Sequence, residues 1–157
     1  VRCCRALAEA AGPCHLVGGQ ADDIQAPTLT PSLELLERIH RRKTGALIEC
    51  ALSLGAIMGD AGPVVLSGLQ EYGRAIGLAF QITDDLLDLL GDEKLVGKRL
   101  QKDKQQNKLT FPAMLGVDHS RERIEQLIQG ACRALEPLPI ERRHLVALAI
   151  NIKSRTH

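Results

Sequence analysis

The segment from Gly77 to Asp92, GLAFQITDDLLDLLGD, decides how this chain is to be read. Wound as an α-helix it turns by about 100° per residue, so Gln81, Asp84, Asp85 and Asp88 fall within an arc of about 100°. Phe80, Ile82, Leu86, Leu87, Leu89 and Leu90 take most of the remaining circumference. A helix that is apolar nearly all round is normally buried, and a buried carboxylate is costly unless it is paired or binds a metal. Asp84 and Asp88, one turn apart, also repel each other. A cation lying against the stripe removes both penalties. Mg²⁺, which takes hard oxygen ligands and bridges carboxylates to phosphates, suits that role. The alternative is a solvated acidic face on a surface helix, and the crowd of Leu and Ile on the other faces weighs against it.

The rest of the 157 residues extends the helical reading. Aromatic residues make up only 2%, there is no Trp, and Leu and Ala dominate the apolar set. That usage favours helix over sheet, so an all-α fold in one domain spanning residues 1–157 is expected. The formal net charge of +1 gives no global reason to bind nucleic acid or a membrane surface. No run approaches the ~20 apolar residues of a membrane span, so no stable membrane insertion is expected. The five cysteines are odd in number and include no Cys-x-x-Cys pair, which fits reduced thiols in a cytoplasmic protein. Cys14 beside His15 lacks a second pair at ligand spacing. Val1 opens the chain inside what reads as a helix and no secretory h-region follows, which is the expectation for part of a longer protein.

Breakers set the remaining elements. Gly12-Pro13 ends the first helix, Pro27 and Pro31 bracket a loop, and Gly62-Pro63 breaks the chain again. Helices are expected over Leu16–Gln25, Leu33–Met58 with Ser32 as N-cap, Val64–Leu90, Ser120–Leu135 and Ile140–Lys153. Gly91 to Lys108 reads as a long polar loop. Lys43-Thr44-Gly45 falls inside the second of these helices. It either offers an ammonium and a hydroxyl to a phosphate or forms a basic helix end closed by Gly45. Lys98 and Lys108 are either solvated loop lysines or point charges for a diphosphate near the acidic stripe. Gly18-Gly19-Gln20-Ala21-Asp22-Asp23 is either a cap or turn, or a close-approach segment with Asp23 as a metal ligand.

Taken in order, these segments resemble the trans-type polyprenyl diphosphate synthase family, in particular its bacterial farnesyl and geranylgeranyl members. Gly19-Gln20-x-x-Asp23 is similar to the family's GQxxD, and Ile39-His40-x-x-Lys43-Thr44-Gly45 to its helix with a Lys-Thr pair. Gly77-x-x-Phe80-Gln81-x-x-Asp84-Asp85-x-x-Asp88 is similar to its second aspartate-rich motif. Gly91-Asp92, Gly97-Lys98, Asp103 and Asn107-Lys108-x-Thr110-x-Pro112 resemble the loop that follows, and Leu145 to Ala149 with Arg155 resembles its C-terminal helix and tail.

The resemblance implies long antiparallel helices around an apolar cavity and a trinuclear Mg²⁺ site. By it, Asp84 binds one Mg²⁺, Asp88 acts mainly at one remove, Asp85 counts with them among the metal-site aspartates, and Asp23 helps hold the other ions. Lys43, Lys98 and Gln81 contact the allylic diphosphate, with Thr44, Gln20, Phe80 and Lys108 lining the same substrate region. The implied reaction ionises the allylic diphosphate, adds isopentenyl diphosphate and loses a proton. The implied assembly is a homodimer of the full-length protein.

One departure stands out. The family carries a first DDxxD and a basic patch for isopentenyl diphosphate, both upstream of the segment that begins here, whereas this chain holds one Asp-Asp-x-x-Asp. The 157 residues alone are therefore expected to lack prenyl transfer, and to expose cavity faces such as Ile76, Phe80 and Leu87 that promote association. The competing expectation is a non-catalytic subunit that binds and modifies a full-length synthase. A class I terpene cyclase fits the GQxxD, Lys-Thr and NKxT set less well.

Overall fold

The computed structural model describes residues 1–95 and 109–155, and among these there is no strand. Eight α-helices follow in order: α1 (Arg2–Ala11), α2 (Leu16–Gln25), α3 (Leu33–His40), α4 (Ala46–Met58), α5 (Pro63–Leu95), α6 (Phe111–Leu115), α7 (Val117–Leu135) and α8 (Arg143–Ser154). A π-turn at Arg41–Gly45 joins α3 to α4 without a break, and Ala26–Thr28 forms a 3₁₀ turn.

Local chemistry accounts for the boundaries. The Ser32 hydroxyl accepts from the Leu35 amide at 3.1 Å and caps α3. Pro63 opens α5, where its missing N–H goes unneeded. Thr110 caps α6 by accepting from the Ala113 amide at 3.3 Å, with Pro112 in the first turn. Three boundaries differ from the sequence expectation. Helix α5 runs through Gly91 to Leu95, since one glycine costs a helix only ~1 kcal/mol. Helix α7 begins at Val117, just after Gly116 turns the chain at φ 84°. Helix α8 begins at Arg143, because buried Leu138 anchors a turn that includes Ile140.

Helix α5 is the axis of the bundle. Its Tyr72, Ile76, Leu78, Ala79, Ile82 and Leu86 are buried in one cluster with Ile124, Ile128, Ala131 and Leu135 of α7 and Ala149 and Ile152 of α8. Ile76, expected on an uncovered face, is instead part of this core, while Phe80 and Leu87 are half-buried. The Tyr72 hydroxyl donates to the Leu145 carbonyl at 2.7 Å, and burial pushes the phenol up to about 12. Helices α4 and α5 run antiparallel. A Cβ on Gly73 would meet the Glu49 Cα at 3.0 Å, and one on Gly77 the Gly45 Cα at 3.0 Å. These two glycines let the helix backbones touch. No described helix is long and apolar enough to cross a membrane.

Candidate active site

The π-turn is where the first half of the site is built. Because α3 continues through it into α4, Gly45 does not close a helix, and the basic run Arg41-Arg42-Lys43 lies mid-helix. A π-turn widens the helix and re-aims the side chains it carries, a device common at functional positions. Here it faces α2. A Cβ on Gly19 would lie 2.3 Å from the Lys43 amide nitrogen, and one on Gly18 would lie 2.0 Å from the Pro13 carbonyl oxygen. Only glycines allow this approach.

Across the contact, Arg42 pairs with Asp22 and donates to the carbonyls of Cys14 at 3.0 Å and Pro13 at 3.1 Å. Lys43 Nζ donates to Asp23 Oδ2 at 2.6 Å. The Lys43 and Asp23 side chains are 35% and 42% exposed, so the pair contributes at most about 1 kcal/mol and exchanges partners readily. Gln20 is exposed beside it, and Thr44 is half-buried.

The second half is the acidic stretch of α5, held against the π-turn by the Gly45–Gly77 contact. Gln81 and Asp84 are half-buried and Asp88 is exposed. Partial burial pushes the Asp84 carboxyl above the ordinary carboxylate range. Arg155 offsets this in part, Asp88 and Asp85 add to it, and His40 opposes it. The Arg155 guanidinium lies 3.6 Å from Asp84 Oδ1 and 5.4 Å over the Phe80 ring, so the end of α8 reaches across the stripe.

Asp85 requires a correction. Arc arithmetic groups it with Asp84 and Asp88, but the structure turns it inward, where it is buried. Its Oδ2 accepts from the Phe111 amide at 3.0 Å and from His40 Nε2 at 3.4 Å. Helices α3 and α6 cover that edge of the arc, and a carboxylate engaged in this way is spent on the protein interior.

Lys98 and Lys108, with Gly97, Asp103 and Asn107, lie outside the described residues. Among the described residues no three His, Cys, Asp or Glu side chains converge as a metal centre. A concavity of about 700 Å³ opens between α1, α4 and α5, lined by Ala10, Arg42, Ala46, Cys50 and Arg74 among others; Asp84 and Asp88 are not in its wall. Sequence reasoning passed over four residues that matter here. Arg42 was read only as part of a basic run, His40 only as part of a motif, and Thr110-x-Pro112 only as loop. The last carried a legible signal, a cap residue followed by Pro within a first turn.

The bundle has the isoprenoid-synthase type of helical fold. It superposes on an FPP/GFPP synthase from Zymomonas mobilis with a TM-score of 0.80 at 37% identity, covering 96% of this chain and 50% of that one. It superposes on a decaprenyl diphosphate synthase from Rhodobacter capsulatus with a TM-score of 0.83 at 27% identity, covering 99% and 60%. The family model described as Polyprenyl synthetase matches residues 1–136, and the chain belongs to that family. It is 47% identical over 133 residues to the farnesyl diphosphate synthase of Escherichia coli, covering 84% of this chain and 44% of that protein. It is 37% identical over 151 residues to the farnesyl diphosphate synthase of Geobacillus stearothermophilus, covering 96% and 51%. The chain thus spans about half the length of the curated relatives it matches.

Proposed function

We propose that this chain supplies the Lys43 and second-aspartate half of a prenyl transferase that condenses an allylic diphosphate with isopentenyl diphosphate, giving farnesyl or geranylgeranyl diphosphate with Mg²⁺ as cofactor. The observation that carries the reading is the packing of the Lys43 π-turn, at glycine contact, against the helix that bears Asp84 and Asp88. Cations for a diphosphate and carboxylates for a metal are thereby built into one rigid contact. Family membership and the naming of relatives as farnesyl diphosphate synthases support the substrate class.

The donor set fits Mg²⁺. All candidate ligands are hard carboxylate oxygens, and Asp84, reluctant to ionise where it stands, gains from a neighbouring cation. Asp84 and Asp88 would hold the ion from α5, with Asp23 contributing from α2. When bound, Mg²⁺ supplies positive charge to the departing diphosphate. The chain's own groups do the rest. The Lys43 ammonium leaves Asp23 for a diphosphate oxygen, and Thr44 and Gln81 offer donors beside it. Phe80, under Arg155, and Leu87 keep water from the allylic cation while the isopentenyl double bond attacks it. Loss of a proton then gives a product one C₅ unit longer. A homodimer of the full-length protein belongs to the same reading.

The test is Asp84→Ala in the full-length protein, assayed with Mg²⁺, geranyl diphosphate and labelled isopentenyl diphosphate. Turnover is expected to fall by ~10²-fold or more, the loss that follows removal of transition-state charge stabilisation. Near-native turnover would sink the assignment of Asp84 as a metal ligand.

A further inference from the structure

We propose that His40 and Asp85 are positioning residues: a buried clasp that sets the register between Lys43 and Asp84 without touching substrate or metal. The inference rests on the functional reading above. Three elements meet at one carboxylate. Asp85 Oδ2, on α5, accepts from His40 Nε2 of α3 at 3.4 Å and from the Phe111 amide of α6 at 3.0 Å. The His40 ring also stacks on Phe111, with centroids 5.7 Å apart and planes 15° from parallel. A carboxylate oxygen accepts, so the tautomer that makes this bond is the one carrying hydrogen on Nε2.

Position along the chain gives the clasp its leverage. His40 lies three residues before Lys43, at the entry to the π-turn, and Asp85 adjoins Asp84 and stands three residues before Asp88. Any slip of α3 along α5 therefore moves the lysine relative to the aspartate stripe. The Gly45–Gly77 contact limits how far the two helices stand apart, but glycines offer no directional bond to fix their sliding. The hydrogen-bonded pair supplies that direction beside the stripe, while an exposed bond from Arg74 to Glu49 at 2.9 Å ties α5 to α4 further from it.

Stability alone does not account for the choice of residues. His40 and Asp85 are both buried, and His40 Nδ1 has no partner among the described residues. A buried polar atom left without a partner is a cost that an apolar side chain of similar size avoids. Buried polar pairs kept at such a cost are best attested where they specify register.

The experiment uses the full-length protein and the variants H40L, H40Q, D85N, D84N and H40L/D85N. Mn²⁺ binding in the presence of inorganic pyrophosphate is followed by electron paramagnetic resonance, beside kcat and KM for geranyl diphosphate. D84N is expected to weaken Mn²⁺ binding by about tenfold or more, as loss of a ligand does. D85N and H40L are expected to hold Mn²⁺ within about threefold of wild type while raising KM by about tenfold, the mark of a displaced lysine. H40Q keeps an N–H donor and is expected to return KM to within about threefold. The double variant should be no worse than either single one, because the two residues act as a unit.

The proposal is overturned if D85N loses Mn²⁺ as D84N does, if the two single losses multiply in the double variant, or if H40Q is no better than H40L. Should H40L fail to fold, H40Q and D85N decide: near-native KM in H40Q with raised KM in D85N supports the clasp, and equal impairment overturns it. Unchanged Mn²⁺ binding in D84N would overturn the metal reading instead, leaving the KM comparison to judge the clasp.

Discussion

Around Tyr72, in the first half of α5, the side chains are dry and closed: the ring has no exposure and its hydroxyl is committed to the Leu145 carbonyl. Around Asp84, further along the same helix, the carboxyl is partly sheltered, served among the described residues chiefly by Arg155 at 3.6 Å, and crowded by Asp85 and Asp88. The first region spends its polar atoms on holding α5 to α8. The second leaves the Asp84 carboxyl raised by burial, on the helix packed against the π-turn that carries Lys43, whose ion pair is easily exchanged. Where a fold satisfies its polar groups it gains stability, and where it leaves them short it keeps a demand that a ligand can meet. The contrast predicts that substitutions in the two regions separate function from stability.

The largest effect on substrate binding belongs to Lys43. Its substitution by Ala removes a charge-assisted donor that contributes ~1.5–3 kcal/mol, so the allylic diphosphate should bind about 10–100-fold more weakly in the full-length protein. Isopentenyl diphosphate should be affected less, since the family places that substrate's basic patch upstream of the segment present here. Titrations of both substrates against the wild type and the Lys43→Ala variant check this, and equal losses for both substrates would break the assignment of Lys43 to one of them.

Tyr72→Phe should show the reverse pattern. The variant keeps the ring and loses one buried hydrogen bond, a cost of about 1 kcal/mol. For a protein of this size or larger that corresponds to a fall in Tm of about 2–4 °C. Values of kcat and KM should stay near wild type. A clear change in KM without a change in Tm would erase the distinction between the two ends of α5.

How much of this could be read from the sequence follows the same division. The helix that carries Gln81, Asp84 and Asp88 was legible because apolar residues take every other face, and Leu16–Gln25 because Gly, Pro and a periodic run bound it. The π-turn was not legible, since nothing in Arg41-Arg42-Lys43-Thr44-Gly45 distinguishes a widened hydrogen-bond ring from an ordinary turn. Asp85 misled for a different reason. Helical arithmetic places it with its acidic neighbours, but its fate depends on the Phe111 backbone amide, a donor every residue but Pro possesses and no sequence marks. Helix α6, five residues long, is too short to show periodicity, and its Thr110 cap was the one clue. Close approach was one of the two readings open for Gly18 and Gly19, whereas Gly45 read as a possible helix end and Gly77 only as a motif position, and the contact between those two is visible only in the structure.

The smallest effect is also the one whose sign is least intuitive. Asp84→Asn should remove the proposed metal ligand and yet raise the thermal stability of the metal-free protein. Burial holds the folded-state carboxyl above its ordinary range, with Asp88 and Asp85 adding to the shift and Arg155 and His40 opposing it. A carboxyl raised in this way favours the folded state when protonated. That contribution is fully present below the unfolded value of about 4 and is lost as pH rises through the higher folded value. At pH 7 the wild-type protein therefore carries an ionised Asp84 at a disadvantage that the neutral Asn avoids. Because the side chain is 37% exposed, solvent screening reduces the gain to about 1–2 °C in Tm, and loss of the exposed Arg155 pair subtracts little from it. Calorimetric scans in EDTA at pH 7 should show Asn above Asp, with the gap closing toward pH 4. Scans with Mg²⁺ and pyrophosphate should reverse the order, since the aspartate then gains more from binding. An Asn variant less stable than wild type in EDTA at pH 7 would mean that Arg155 already satisfies Asp84, and the contrast between the two ends of α5 would lose its electrostatic basis.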